Sequence, residues 1–176
     1  MSRALYALIG VLPVLSGPAR AADDPCAAAA WDVTQERALF HQAPEVVTAG
    51  KTPAKLPALT PGRLYELKLS AQPQVTFALP PGKKKQVPGA YAGLARLTLE
   101  RGGVYRIAVG APVWVDVAAD GAFIEARDFH GRHGCDAPAK LVEFVLPAAT
   151  ALTLQFSASD AARLQVTVTR APPPTP

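Results

Sequence analysis

The residues best suited to chemistry lie in one eight-residue segment, 128–135, which reads DFHGRHGC. Imidazole and carboxylate groups are common metal ligands, so His130 and His133 are candidate ligands of a metal ion, with Asp128 or His41 joining them. A metal site needs three or four convergent ligands, and a single H-x-x-H pair fits a glycine-rich surface loop equally well. The pattern favours the loop, so we expect no cofactor and keep a metal ion as the alternative.

Trp114 and Asp116 are the second candidate site for a ligand or partner, together with Arg132 from the segment above. Trp114 is out of phase with the alternating valines of residues 113–117. If those valines face a core, the indole and Asp116 lie on the outer face. An exposed indole stacks on a sugar ring or anchors a partner protein. More often, a helix or loop such as the segment around Trp31 covers a face of this kind.

Common enzyme motifs are missing from the sequence. Beyond residue 21 the only serines are Ser70, Ser157 and Ser159, and none lies in a G-x-S-x-G motif. There is no H-E-x-x-H, no P-loop and no Rossmann glycine pattern, nor the H-x-H pair with a downstream glutamate of cupin-type oxygenases. The paired carboxylates of glycoside hydrolases have no sequence motif, so this sequence neither indicates nor excludes such a pair. The balance favours a protein without catalytic activity.

Residues 1–21 have the three parts of a cleavable secretory signal. Arg3 supplies the positive charge, residues 4–15 are an uncharged apolar run, and the small residues of 19–21 suit a signal peptidase, so we expect the mature chain to begin at Ala22. The apolar run is shorter than the ~20 residues that a membrane-spanning helix needs, and no later stretch is long enough to span a membrane either. The sequence therefore predicts a periplasmic or secreted protein without a transmembrane segment.

The charge of the mature chain gives no case for nucleic-acid binding. The full chain has 18 Lys and Arg against 14 Asp and Glu; loss of Arg3 and Arg20 with the signal leaves 16 against 14, a net charge of +2. Abundant alanine and proline without asparagine suggest a GC-rich bacterial genome, and hence a periplasm. The remaining length fits one domain, residues 22–170, followed by a disordered proline-rich tail at 171–176.

Cys26 and Cys135 are the only cysteines. In an exported chain, two cysteines far apart in sequence most often form a disulfide; a metal-binding pair and free thiols are the alternatives. The bond would close a loop of 109 residues, and it would contribute about 4–5 kcal/mol in the chain-entropy model. We expect the bond to hold both the helix that follows Cys26 and the loop that precedes Cys135.

The hydropathy pattern predicts one short helix near the N-terminus. Asp32 and Gln35 have capping-box spacing, which places the helix at about residues 32–42. The proline-rich stretch 44–62 predicts irregular structure with at most a short strand at 46–47.

Beyond Gly62 the apolar residues recur with a period of two, which is typical of half-buried strands. The predicted strands lie near residues 65–69, 75–79, 95–99, 105–109, 113–117, 123–125, 142–146, 152–156 and 164–168. Turns separate them, and no crossover helix lies between them. The sequence predicts a mostly β fold: an antiparallel β-sandwich or jelly roll of about nine strands.

Three segments resemble the pre-peptidase C-terminal type of secreted β-sandwich domain: residues 62–69, the GGVYRI stretch at 102–107, and WVDV at 114–117. The chain also resembles small exported proteins of Gram-negative bacteria. The resemblance covers about residues 62–170. It implies an accessory or binding sandwich and assigns no catalytic residue.

Three functions stay open at this point. The first is a non-catalytic binding or interaction module with an unidentified protein or glycan partner. The second is a small metal-binding protein or metalloenzyme that uses His130 and His133. The third is carbohydrate binding through exposed aromatic residues such as Trp114.

Overall fold

The computed structural model of this protein describes residues 31–83, 87–131 and 137–172. In these ranges the chain forms one α-helix, one 3-10 helix and 12 strands. The helices are α1 (Thr34–Phe40) and the 3-10 helix Gln72–Gln74. The strands are β1 (Glu45–Thr48), β2 (Ala58–Leu59), β3 (Leu64–Lys68), β4 (Ser70–Ala71), β5 (Tyr91–Leu97), β6 (Gly103–Val109), β7 (Trp114–Ala119), β8 (Ala122–Ile124), β9 (Ala126–Gly131), β10 (Lys140–Leu146), β11 (Leu152–Ser159) and β12 (Arg163–Arg170). The predicted signal and residues 173–176 of the predicted tail lie outside the described residues.

The strands form two six-stranded sheets. The first sheet has the order β1-β3-β12-β6-β10-β9; the second has the order β2-β5-β11-β7-β8, with β4 also paired to β5. Most pairs are antiparallel, but β1 pairs with β3 and β2 pairs with β5 in parallel. The predicted mostly β sandwich with one short helix is confirmed. The predicted count of about nine strands is wrong, since the described residues form 12, and both sheets are mixed.

Side chains from the inner faces of both sheets form one hydrophobic core. The alternation of each strand buries residues such as Ile107 and Val166 from the first sheet and Val117 and Leu154 from the second. Phe144 and Phe156 are among the largest fully buried side chains. Burial of one such side chain contributes about 1.5–3 kcal/mol. Most residues of the core occupy alternating positions of the strands, as the period-two pattern predicts.

The segment after the 3-10 helix covers the outer face of the second sheet and is not the strand predicted at 75–79. Val75 packs with Ala92 and Leu94 of β5. Leu79 donates its N–H to Oε1 of Gln155 and accepts from Nε2 of the same side chain, both at 3.1 Å. Its backbone therefore bonds to a side chain of β11 instead of a neighbouring strand, although its apolar residues alternate.

Helix α1 lies on the outer face of the first sheet. Val33, just before it, is buried with Ala108 of β6 and Leu141 of β10. The predicted capping box does not form, because Val33 holds the N-cap position without a side-chain bond. Instead, the Thr34 backbone N–H donates to Oδ1 of Asp32 at 3.0 Å. No helix in the described ranges is long and apolar enough to cross a membrane.

Candidate functional site

Arg106 lies on the outer face of β6, where the segment ahead of α1 covers it. Its Nε donates to Oε2 of Glu143 at 3.1 Å, and its Nη1 donates to the carbonyl oxygen of Asp32 at 2.6 Å. The same Nη1 lies 3.9 Å from Oε1 of Glu36, and the guanidinium carbon lies 4.8 Å from the ring centroid of Trp31. A buried cation needs such partners, so Arg106 ties residues 31–36 to the sheet.

Glu36 is the acidic end of this network and is fully buried on α1. Its Oε1 accepts a 2.5 Å hydrogen bond from the Thr169 hydroxyl of β12. Since the carboxylate faces Arg106 and Thr169, its contacts hold the helix on the sheet.

Glu143 joins the buried arginine to an exposed one. Its second oxygen, Oε1, lies 3.2 Å from Nη1 of Arg127, whose side chain is 59% exposed. Asp128 pairs with Glu143 and Ala126 pairs with Phe144, so Arg127 is the extra residue of a β-bulge. A bulge re-aims the side chain that it carries, and this one brings Arg127 to the face of Glu143.

These side chains border an open cleft of about 690 Å³ on the outer face of the first sheet. Trp31, Val104, Arg106, Arg127 and Glu143 line it, and so does Arg170, the last residue of β12. The lining side chains thus include three cations and one carboxylate.

Arg170 differs from the other two arginines of the cleft. It forms no hydrogen bond or ion pair with the residues that the structure describes, whereas Arg106 and Arg127 both contact Glu143. Its guanidinium lies over Gly103, where an added Cβ would come within 3.2 Å of Nη2. The missing side chain at Gly103 leaves room for this cation at the edge of the cleft.

Of the candidate metal ligands, His130 lies on β9 beside Trp31, with 6.1 Å between the ring centroids. Asp128 accepts a 2.7 Å hydrogen bond from the backbone N–H of Phe129, and His41 follows the C-terminus of α1. Among the described residues, no group of three or more His, Cys, Asp or Glu could hold a metal ion.

Four predicted residues lie outside the described ranges: Cys26, Arg132, His133 and Cys135. The disulfide and the part of the metal site that needs His133 therefore stay predictions.

Trp114 lies at the surface, as the phase of the valines predicts, with 38% of the residue exposed. Its Nε1 donates to Oδ1 of Asp116 at 2.8 Å, and the Gly82 N–H donates to Oδ2 at 3.0 Å. Trp31 lies instead on the first sheet, where it contacts Arg106, so the described part of its segment does not cover Trp114. Polar contacts from its own sheet and from the Gly82 loop restrain the indole.

Lys140 approaches the same indole from the first sheet. Its Nζ lies 5.3 Å from the Trp114 ring centroid and donates to the Val113 carbonyl at 3.2 Å. Burial lowers the pKa of Lys140, the charge of Lys83 lowers it further, and Asp116 opposes both. Lys140 and Trp114 thus form a contact between the two sheets.

No family model, curated protein or solved structure matches this chain. The resemblance to pre-peptidase C-terminal domains stays a prediction, and the functional argument rests on the geometry of the cleft.

The sequence did not single out the charged residues of the cleft. In the period-two pattern, Arg106 and Glu143 are ordinary outward-facing polar positions of two strands, 37 residues apart. The only signal was that both lie on strands whose other outward neighbours, Ala108 and Leu141, are apolar. That pattern indicates a covered outer face, under which charges must pair.

Proposed function

We propose that this protein is an exported, non-catalytic binding module whose ligand site is the cleft on the outer face of the first sheet. The observation that carries the proposal is Arg170, which lines this cleft together with Trp31 and has no hydrogen-bond or ion-pair partner among the described residues. The volume of about 690 Å³ falls in the range of roughly 300–1,000 Å³ that small-molecule sites occupy. An aromatic ring and a few charged groups are the usual means of recognition in such sites.

The chemistry of the lining favours recognition over catalysis. Arginine stays protonated in proteins, so the three guanidinium groups cannot exchange protons with a substrate. Glu143, the one carboxylate among the described lining residues, contacts a guanidinium with each of its two oxygens. Ser157, which has no hydrogen-bond partner in the described part of the chain, is buried away from the cleft.

The other two functions have less support in the described residues. Metal binding needs more ligands than His130, Asp128 and His41 supply there. At Trp114, Lys140 lies over the ring and Asp116 is already bonded to Gly82, which leaves a sugar less aromatic surface and one fewer acceptor.

The proposed location is the periplasm or the cell exterior. This part rests on the signal-like residues 1–21 and on the small net charge of the chain that remains. A soluble sugar derivative, a metabolite or the end of a partner chain would reach an open cleft of this kind.

The experiment is a thermal-shift screen of the chain that begins at Ala22, with neutral sugars, acidic sugars, amino acids and inorganic anions as probes. Binding stabilises the folded state by about 2.7 kcal/mol at a ligand concentration of 100 Kd. We expect at least one class of probe to stabilise the protein. This stabilisation should be lost in Val104→Trp, whose larger side chain fills the cleft, and retained in Trp114→Ala. If the stabilisation is lost only in Trp114→Ala, the binding site lies on the second sheet and not in the cleft.

A further inference from the structure

We infer that the ligand of the cleft carries an oxyanion group (a carboxylate, sulfate or phosphate) that Arg170 and Arg127 bind beside Trp31. This inference rests on the proposed function and adds the chemical class of the ligand to it.

The hydrogen-bond donors of the cleft exceed its acceptors. Arg106 donates to Glu143 and to the Asp32 carbonyl and forms an ion pair with Glu36. Arg127 contacts only one carboxylate oxygen, and Arg170 contacts none in the described residues. A guanidinium has five N–H donors, so most of the donors on these two side chains are left for a ligand.

The carboxylate of the cleft is already in use. Glu143 is the only carboxylate among the described lining residues. Its Oε2 accepts from Arg106 and its Oε1 faces Arg127. A cationic ligand would therefore meet three positive charges and no free carboxylate. Charge and hydrogen-bond capacity both favour an anion.

Arg127 and Arg170 both line the cleft. Glu143 restrains Arg127 from one side, and the bulge sets the direction of its side chain. Arg170 lies over the bare backbone of Gly103. A guanidinium binds carboxylate, sulfate or phosphate oxygens in bidentate geometry, which a lysine cannot reproduce.

The rest of the lining fits an apolar or ring-shaped body attached to the anionic group. The Trp31 indole, Val104 and the chain at Ala171–Pro172 supply apolar surface. Acidic sugars, aromatic acids and phosphorylated metabolites share this chemistry, and the probes below distinguish them.

The test is isothermal titration calorimetry with trigalacturonate, phenylacetate, glycerol 3-phosphate and inorganic sulfate, and with maltotriose as a neutral comparator. We expect at least one oxyanion probe to bind, with an affinity that falls as salt rises from about 20 to 300 mM. Arg170→Gln should weaken this binding about ten- to hundredfold, and Arg170→Lys should weaken it less. Arg96→Gln removes an exposed cation from β5 of the other sheet and should change the affinity less than about twofold.

Several outcomes overturn the inference. If maltotriose binds and Arg170→Gln does not weaken it, while Val104→Trp abolishes binding, the cleft is a site for neutral ligands and only the oxyanion inference fails. If none of the four oxyanion probes binds, the inference is wrong. If no probe of either kind responds to Val104→Trp, the proposed function fails as well.

The chain itself contains a competing acidic segment. Asp23 and Asp24 precede Trp31 by eight and seven residues. If the probes bind the Asp23→Asn/Asp24→Asn variant but not the natural chain, the arginines serve the protein's own acidic segment, and the inference of an external ligand is overturned.

Discussion

The indole ring of Trp31 lies 6.1 Å from the imidazole ring of His130, with an angle of 41° between their planes. Trp31 leads into α1, and His130 lies on β9 at the edge of the first sheet. Cys26 is five residues before Trp31, and Cys135 is five residues after His130. Five extended residues reach at most ~17 Å. The two cysteine segments therefore leave neighbouring points of the fold, and their lengths permit the predicted disulfide.

We predict that Cys26 and Cys135 are bonded in protein from an oxidising compartment. Cys26→Ser should then lower the free energy of unfolding by a few kcal/mol, since a loop of this length contributes about 4–5 kcal/mol. The double variant Cys26→Ser/Cys135→Ser should cost no more than either single one, because one bond is lost in each case. Thiol titration of the unfolded protein and thermal melts with and without reductant measure this. Two free thiols, or a melting temperature unchanged by reductant, would disprove the bond.

Arg106 gives the second prediction. Arg106→Met keeps much of the apolar stem but leaves Glu36 buried and Glu143 with only an exposed partner. Loss of one partner from a buried ion pair costs about 3–5 kcal/mol. We therefore expect Arg106→Met to lower the free energy of unfolding by that amount in urea titrations.

Two further variants separate charge pairing from general damage. Arg163→Met breaks an exposed pair with Glu66 and should cost less than about 1 kcal/mol. The triple variant Arg106→Met/Glu36→Met/Glu143→Met removes all three charges and should recover much of the loss, as apolar replacements of buried ion pairs do. A triple variant less stable than Arg106→Met would show that the charges themselves stabilise this face.

The sequence predicted the core well because burial on one face of a strand leaves a period-two pattern. The strand predicted at 75–79 is wrong. The apolar residues of this segment alternate because the segment packs on the second sheet, as the contacts of Val75 and Leu79 show. An alternating pattern is shared by strands and by extended segments that cover a sheet. The two differ in what the backbone bonds to, and here the backbone of Leu79 bonds to the side chain of Gln155, 76 residues away. The sequence also failed to predict that β1 pairs with β3 and β2 with β5 in parallel. The reason is the same, since a local pattern does not show which strand is the partner.

The candidate site was less predictable than the fold. The histidines near residue 130 drew attention because chemistry-bearing residues are close in sequence there. The cleft instead combines Trp31, Arg106, Arg127, Glu143 and Arg170, which topology alone brings together. The direction of Arg127 depends on a bulge, and the sequence contains no glycine or other signal at that point.

The covering segment gives the third prediction. Gln155 is fully buried, and its side-chain amide satisfies both backbone groups of Leu79. Gln155→Leu should leave those groups unpaired, lower the free energy of unfolding by about 1–3 kcal/mol, and speed hydrogen exchange at the Leu79 amide. Thr153→Val, on the same strand two residues away, is the matched control. Equal exchange at Leu79 in both variants would contradict the role of Gln155.

The fourth prediction concerns Lys140 and alkaline pH. Its pKa is lowered in the folded protein, mainly by burial and then by Lys83. Between this lowered pKa and the ordinary lysine pKa of ~10.4, the unfolded chain binds more protons than the folded one. The contribution of Lys140 to stability therefore rises with pH through that window.

Lys140→Met removes this titration while it keeps an apolar stem beside Trp114. In urea titrations, the free energy of unfolding of the natural chain minus that of Lys140→Met should be larger at pH 10 than at pH 7, because only the natural chain gains from losing the buried proton. Lys68→Met removes a lysine at the end of β3 and corrects for the general effect of one positive charge. A difference for Lys140→Met that stays constant, or that shrinks toward pH 10, would show that the ammonium group is not penalised between the two sheets.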